Sequence, residues 1–182
     1  MTHVLLIGPR ASGKSTVGPA LARQRGVGFV DLDHRTVAAF PEPTVGAIWA
    51  AHGEAAWRAA EVAALRSVLA EPEPLVVALG GGTPAAPGAD AALRTAATPP
   101  RVVYLRVPVA ELARRLGHAS DDRPALRPGT TPEDEVKAVL AEREPTYRRW
   151  ADRVVDGTMG VAEAVDVIAA WLADFGDEGH GS

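Results

Sequence analysis

Five short apolar runs punctuate the chain at intervals that leave room for a helix between them. His3-Val4-Leu5-Leu6-Ile7, Gly28-Phe29-Val30-Asp31, Leu75-Val76-Val77-Ala78-Leu79, Arg101-Val102-Val103-Tyr104-Leu105 and Arg153-Val154-Val155-Asp156 read as strands. The third is continuously apolar, as a strand buried on both faces of a parallel sheet should be. The intervening segments have helical periodicity. Val17 to Arg25 carries Val17, Ala20 and Leu21 on one side; Gly53 to Ala70 carries Trp57, Ala60, Ala64, Leu65 and Val68 and stops at Glu71-Pro72-Glu73-Pro74. Further helices are predicted at Val45 to Ala51, after the interruption Pro41-Glu42-Pro43, and over Pro108–Gly117, Pro132–Trp150 and Val161–Phe175. Alternating β and α elements of this length predict an α/β fold of three αβα layers, with a five-stranded parallel sheet and right-handed crossovers. Residues 1–175 form one domain in this reading, and Gly176 to Ser182 a frayed tail.

In such a sheet, ligands gather at the carboxyl ends of the strands. Those ends carry Gly8-Pro9-Arg10-Ala11-Ser12-Gly13-Lys14-Ser15, the pair Asp31 and Asp33, the triplet Gly80-Gly81-Gly82, and Arg106. The first of these fits G-x-x-x-x-G-K-[ST] at every fixed position and lies between a strand and a helix. Glycines let successive backbone N–H groups turn inward around phosphate oxygens, and the helix adds its positive end. The nucleotide-binding set is Gly8, Ala11, Ser12, Gly13, Lys14, Ser15 and Thr16, with the Lys14 ammonium on the β/γ-phosphates and the Ser15 hydroxyl as a Mg²⁺ ligand. Lysine here is informative because the chain has only Lys14 and Lys137 against 17 arginines. A nucleoside triphosphate and Mg²⁺ are therefore the expected ligands.

At 182 residues and 47% hydrophobic composition the chain suits a single core. A net charge of −4 argues against a sequence-independent grip on nucleic acid, which needs a basic face. No cysteine is present, so disulfides and thiolate metal sites are excluded. The five histidines have no ligand spacing. Neither a signal segment nor an apolar run of the ~18 residues needed to span a bilayer is seen, so the expectation is a soluble, cytoplasmic monomer acting on small molecules.

Two residues apart at a strand end, Asp31 and Asp33 point their carboxylates the same way if the strand stays extended. One would support Mg²⁺ through water and the other would orient an acceptor hydroxyl and take its proton; a capping pair for the next helix is the alternative. In Gly53-Glu54-Ala55-Ala56-Trp57-Arg58-Ala59-Ala60-Glu61, helical spacing brings Glu54 and Glu61 within reach of Arg58. A guanidinium held this way suits a substrate carboxylate, although the same spacing also describes a surface ion-pair ladder. Arg114-Arg115 and Arg148-Arg149 are further anion-binding candidates, the latter more simply read as solvated helix surface. His118 to Thr131 is long, polar and rich in Gly and Pro, contains Asp121-Asp122-Arg123-Pro124, and reads as a mobile lid.

Taken in order, the phosphate loop, Asp31-Leu32-Asp33, Gly53-Glu54-x-x-Trp57-Arg58-x-x-Glu61, Gly80-Gly81-Gly82, Asp122-Arg123-Pro124 and Glu142-Arg143-x-Pro145-x-Tyr147 resemble the shikimate kinase family over nearly the whole chain. The resemblance implies a nucleoside monophosphate kinase-like version of the fold, ATP and Mg²⁺ as cofactors, and transfer of the ATP γ-phosphoryl group to the 3-hydroxyl of shikimate, in the route to aromatic amino acids. It implies that Asp33 contacts the acceptor hydroxyls as base and Asp31 supports Mg²⁺. It further implies that Arg58 and Arg143 bind the substrate carboxylate and that Gly80, Gly81 and Gly82 approach substrate and γ-phosphate with bare backbone. Arg123 would close over the transferring group, with Arg115 and Pro124 beside adenine. Trp57 stands where the family usually has phenylalanine and Thr146 where leucine is common. A gluconate-type kinase shares the loop and the acidic pair but does not need the triplet and Arg58 in these places. A nucleoside monophosphate kinase would need a base-binding segment after the first helix. A non-catalytic ATP-binding regulator has no use for an acceptor-side base.

Overall fold

In the computed structural model, residues 1–117 and 131–175 are described. The expected lid, including Arg123 and Pro124, and the expected tail lie outside them, apart from Thr131 at the lid boundary. The elements run β1 (Val4–Ile7), α1 (Lys14–Arg25), β2 (Gly28–Asp31), α2 (Leu32–Val37), α3 (Val45–Leu69), β3 (Leu75–Ala78), a 3₁₀ turn (Thr83–Ala85), α4 (Ala89–Arg94), β4 (Arg101–Arg106), α5 (Val109–Gly117), α6 (Pro132–Trp150), β5 (Arg153–Asp156) and α7 (Val161–Ala173). The five strands pair in parallel in the order β2-β3-β1-β4-β5.

Both faces of the sheet are covered, and the two-residue period of each strand deals its side chains between them. Leu5, Ile7, Val77, Val102 and Tyr104 face a core shared with α3, α4, α5 and α6. Val4, Leu6, Val76, Val103 and Leu105 face a second core built with α1 and α7. A small third cluster of Val45, Ile48 and Trp57, with Val37, Phe40 and Trp49 against it, holds α2 to the first half of α3. The chain crosses from β1 outward to β2 and back to β3, so β1 lies between β3 and β4. The loops after β1 and β3 are therefore neighbours, at the place where such sheets open a crevice.

Three local readings change. The helices expected at Val45–Ala51 and Gly53–Ala70 follow one another end to end in α3, broken only by Gly53 at φ 80°, ψ 165°. Asp31 and Asp33 are not on one extended strand. β2 ends at Asp31, which caps α2 by accepting from the Asp33 N–H at 3.1 Å, and Asp33 lies in the first helical turn. The intervening Leu32 is drawn into the core, fully buried, and its burial turns the chain there. The short α4 is not signalled by periodicity; in Ala89-Asp90-Ala91-Ala92-Leu93-Arg94 only small residues, Ala89 and Ala92, are buried.

Candidate active site

The phosphate loop takes its shape from backbone conformations that its sequence permits. Gly13 caps α1 at φ 99° and Gly8 stands at φ 143°, the region that favours glycine. Ala11, at φ 61°, is the non-glycine residue with positive φ among the described residues, a conformation that costs an L-residue about 1–2 kcal/mol. Lys14 begins α1 and is buried, with Nζ donating to the carbonyls of Gly8 (2.8 Å) and Pro9 (2.7 Å) and to Ser12 Oγ (3.2 Å). Its ammonium is thus held over the loop mouth by weak acceptors that a phosphate oxygen can replace. Ser12 is buried under the loop, whereas Ser15 and Thr16 are exposed.

Beside the loop, Ser15 Oγ donates to Asp31 Oδ2 at 2.9 Å. Asp31 therefore does both things proposed for an acidic residue there, capping α2 with one oxygen and facing the loop hydroxyl with the other. A hydroxyl and a carboxylate side by side are hard oxygen donors of the kind Mg²⁺ takes, and Mg²⁺ in nucleotide sites relies on one or two protein oxygens plus phosphate and water. The donor set fits that ion. No cluster of three or more acidic or histidine side chains able to hold a metal occurs among the described residues.

A pocket on the other side of the loop is lined by Asp33, Trp49, Arg58, Glu61, Gly80, Gly81, Gly82 and Arg143, together with Arg10, Val45 and Trp57. Arg58 is its centre. Nη1 donates to Glu61 Oε2 at 2.6 Å, while Nε and Nη2 donate to Glu54 Oε1 at 3.1 and 2.9 Å. This is no surface ladder, because Glu61 is 1% exposed and Arg58 only 16%. Burial works against the charge on both. For Arg58 the two carboxylates outweigh it and the guanidinium is held more firmly protonated than usual. For Glu61 burial outweighs Arg58 and Thr83, and its carboxyl stays above the ordinary range. Thr83 Oγ1 donates to the remaining oxygen, Glu61 Oε1, at 2.7 Å.

The triplet explains itself through close approach. A Cβ on Gly80 would stand 2.5 Å from Asp33 Oδ1 and 2.6 Å from Glu61 Oε1, and one on Gly82 would stand 2.3 Å from Arg58 Nη1. Side chains at these positions would displace the groups that shape the pocket. Gly81 abuts the phosphate loop, its Cβ position lying 3.3 Å from the Arg10 nitrogen. Asp33, Lys14, Ser15, Asp31 and Gly81 line one continuous opening between the two halves.

On the far side of the loop, a cleft of about 440 Å³ is lined by Ala11 to Val17, Leu105, Arg115, Gly157, Met159, Val161 and Ala164. Arg115 is fixed there, donating to the carbonyls of Ala11 (3.1 Å) and Gly157 (3.0 Å) and to Glu111 Oε1 (2.7 Å). Arg106, at the end of β4, is exposed and pairs with Glu144 instead. Arg114 pairs with Glu111, Arg148 with Glu144 and Arg149 with Asp90, all on exposed helix surface.

The structure thus brings together the described residues expected at the site: the loop, Asp31, Asp33, Arg58, Gly80 to Gly82, Arg115 and Arg143. Sequence reasoning missed Arg10, Val45, Trp49 and Thr83 on the acceptor side and Met159 and Val161 on the nucleotide side. Thr83 was signalled only by following the triplet. Trp49 reaches the pocket because Gly53 breaks α3, placing its ring 5.7 Å from the Arg58 guanidinium carbon, which no regular helical spacing predicts.

Comparison with known proteins agrees with this geometry. The family model described as shikimate kinase matches residues 10–173. A shikimate kinase of Frankia casuarinae is 43% identical over 171 residues, covering 93% of this chain and 72% of its own. One of Nitratidesulfovibrio vulgaris is 41% identical over 173 residues, covering 94% and 95%. The structure of the Acinetobacter baumannii shikimate kinase in complex with shikimate superposes with a TM-score of 0.83 at 28% identity, covering 100% of this chain and 96% of that one. With a phosphate loop, a caged arginine and a bare-backbone triplet meeting at one crevice, the chain belongs to the shikimate kinase family of ATP-dependent phosphotransferases.

Proposed function

We propose that this chain transfers the γ-phosphoryl group of ATP to the 3-hydroxyl of shikimate, giving shikimate 3-phosphate and ADP. The observation that carries the reading is the Arg58 cage: a partly buried guanidinium, doubly paired and anchored on the buried Glu61, faces the same pocket as the Asp33 carboxylate, next to the phosphate loop. An acceptor that has both a carboxylate and a hydroxyl is what such a pocket distinguishes.

In this assignment the substrate carboxylate lies on Arg58 and Arg143, which puts a ring hydroxyl at Asp33. Asp33 orients that hydroxyl and takes its proton as the oxygen bonds to the γ-phosphorus. The bond from phosphorus to the β,γ-bridging oxygen breaks, and ADP leaves with the electron pair. Phosphoryl transfer needs positioning and charge neutralisation more than covalent participation by the protein. Lys14 exchanges its loop carbonyls for β/γ-phosphate oxygens, and the Gly80–Gly82 backbone lies alongside. Ser15, with Asp31 behind it, is the place for Mg²⁺, which when bound neutralises charge on the β- and γ-oxygens. Arg115, in the cleft with Met159 and Val161, is assigned to adenine; the roles that the family resemblance gives to Arg123, on the transferring group, and to Pro124, beside adenine, fall on residues outside those described.

The test is ADP release with Mg·ATP and, separately, shikimate, gluconate, a nucleoside monophosphate or water. Turnover with shikimate alone is the expected result. Preference for gluconate would overturn the substrate assignment, and ATP binding without turnover on any acceptor would make the chain a nucleotide-binding regulator.

A further inference from the structure

We propose that Tyr147 is a positioning residue that locks the peptide between Gly81 and Gly82 in one of two accessible orientations, so that the Gly82 N–H faces the acceptor pocket. The inference rests on the functional reading above for its kinetic consequence, but the geometry stands without it.

Gly80 to Thr83 is a β-turn, closed by the Thr83 N–H donating to the Gly80 carbonyl at 3.1 Å. Gly82, at φ −98° and ψ −14°, has the third-residue conformation of a type I turn. The type II turn differs by a flip of the central peptide and needs positive φ at the third residue, which glycine adopts as readily as negative. The close approaches at Gly80 and Gly82 that the pocket requires therefore leave the turn free to flip. Something outside the turn must choose.

Tyr147 makes that choice. Its hydroxyl donates to the Gly81 carbonyl, the oxygen of the central peptide, across 66 residues of chain. The side chain is 1% exposed and its ring rests on Tyr104 with centroids 5.2 Å apart, so the donor has nowhere else to go. Burial drives the phenol's pKa well above its ordinary range, which keeps the group a donor at any working pH. In a planar trans peptide the N–H points opposite to the carbonyl. With the Gly81 oxygen drawn toward α6, the Gly82 N–H is turned the other way, and it has no protein partner among the described residues. The flipped turn would present a carbonyl oxygen where that N–H stands, facing an anionic substrate. Arg143 bears on the same phenol by charge and hydrogen bonding, so the tyrosine ties the triplet to the helix that carries a carboxylate-binding arginine.

Tyr147→Phe keeps the ring and its packing and removes only the lock. Tyr104→Phe is the control, since it takes a hydroxyl from the neighbouring buried ring without touching the turn. If the unlocked turn spends part of its time flipped, the apparent acceptor affinity falls by the competent fraction while saturating substrate restores the rate. The expected result for Tyr147→Phe is a shikimate KM raised about fivefold, the population change one neutral hydrogen bond supports, with kcat and the ATP KM within about twofold and Tyr104→Phe unchanged. A second readout needs no turnover: in ligand-free protein, the Gly82 amide ¹⁵N resonance should shift or broaden in Tyr147→Phe and not in Tyr104→Phe. A Gly82 resonance that stays in place would overturn the lock whatever the kinetics. So would equal changes in both variants, or a loss of kcat and ATP affinity together with thermal stability. Failure of wild-type protein to phosphorylate shikimate would sink the substrate assignment instead, with the resonance still deciding on the lock.

Discussion

The two halves of the crevice are built by different means. The phosphate side is one contiguous loop whose recognition groups are backbone N–H donors, one lysine and one hydroxyl, and its shape comes from glycines at positive φ. The acceptor side draws Asp33 from α2, Arg58 and Glu61 from α3, the triplet from the end of β3 and Arg143 from α6, and its shape comes from buried side-chain bonding. The difference follows the ligands. Every nucleoside triphosphate offers the same phosphate oxygens, which a flexible backbone nest can meet. A small acid with several hydroxyls offers no such uniform handle, and selecting it requires charges fixed in place before it arrives, so that less ordering accompanies binding.

The largest effect should come from the phosphate side. Lys14→Met removes the cation on the transferring phosphates and should lower kcat by about 10³-fold for whatever acceptor is used, as loss of a transition-state donor does. The check is steady-state kinetics on protein of unchanged circular dichroism. A change in acceptor preference instead would mean that the two halves are not separable.

Arg58→Ala should act on the other half alone. Loss of a charge-assisted contact of about 1.5–3 kcal/mol predicts a shikimate KM raised about 10- to 100-fold, with the ATP KM unaltered and kcat little changed, because the contact is made equally in ground and transition states. A rise in the ATP KM of similar size would break the division.

The smallest effect concerns Glu61. Its folded carboxyl lies above the usual value of 4.5 because of burial. The folded chain therefore holds more protons than the unfolded one between the two values, and the stability this contributes is present below about pH 4.5 and lost as pH rises through the folded value. Glu61→Gln fixes the neutral state. The Tm of the wild type relative to Glu61→Gln should fall as pH rises above about 4.5, measured by thermal melts. A difference that widened instead would mean that Arg58, and not burial, governs this carboxyl.

How much was legible in the chain depends on sequence distance. The phosphate loop, the Arg58 ion pairs and the bare triplet are local patterns, and each lies where its spacing indicated. The Asp31–Asp33 pair shows the limit even at two residues: whether both carboxylates share a side depended on whether Leu32 continued a strand or turned into the core, and the core won. Contacts such as Thr83 with Glu61, Arg115 with the Gly157 carbonyl, and Tyr147 with Gly81 join segments 22, 42 and 66 residues apart. No periodicity in one segment encodes its partner in another.

Local chemistry alone determined that this protein binds nucleotide phosphates, that its third strand is buried on both faces, and that an arginine stands between two glutamates, because turns, helical spacing and apolar runs act over a few residues. Only the tertiary structure decided that β1 lies between β3 and β4, that Glu61 is buried and so makes its ion pair rigid, and that a tyrosine of α6 holds the peptide of a turn after β3. Those outcomes come from packing two cores against one sheet, where the free energy belongs to surfaces brought together from distant parts of the chain.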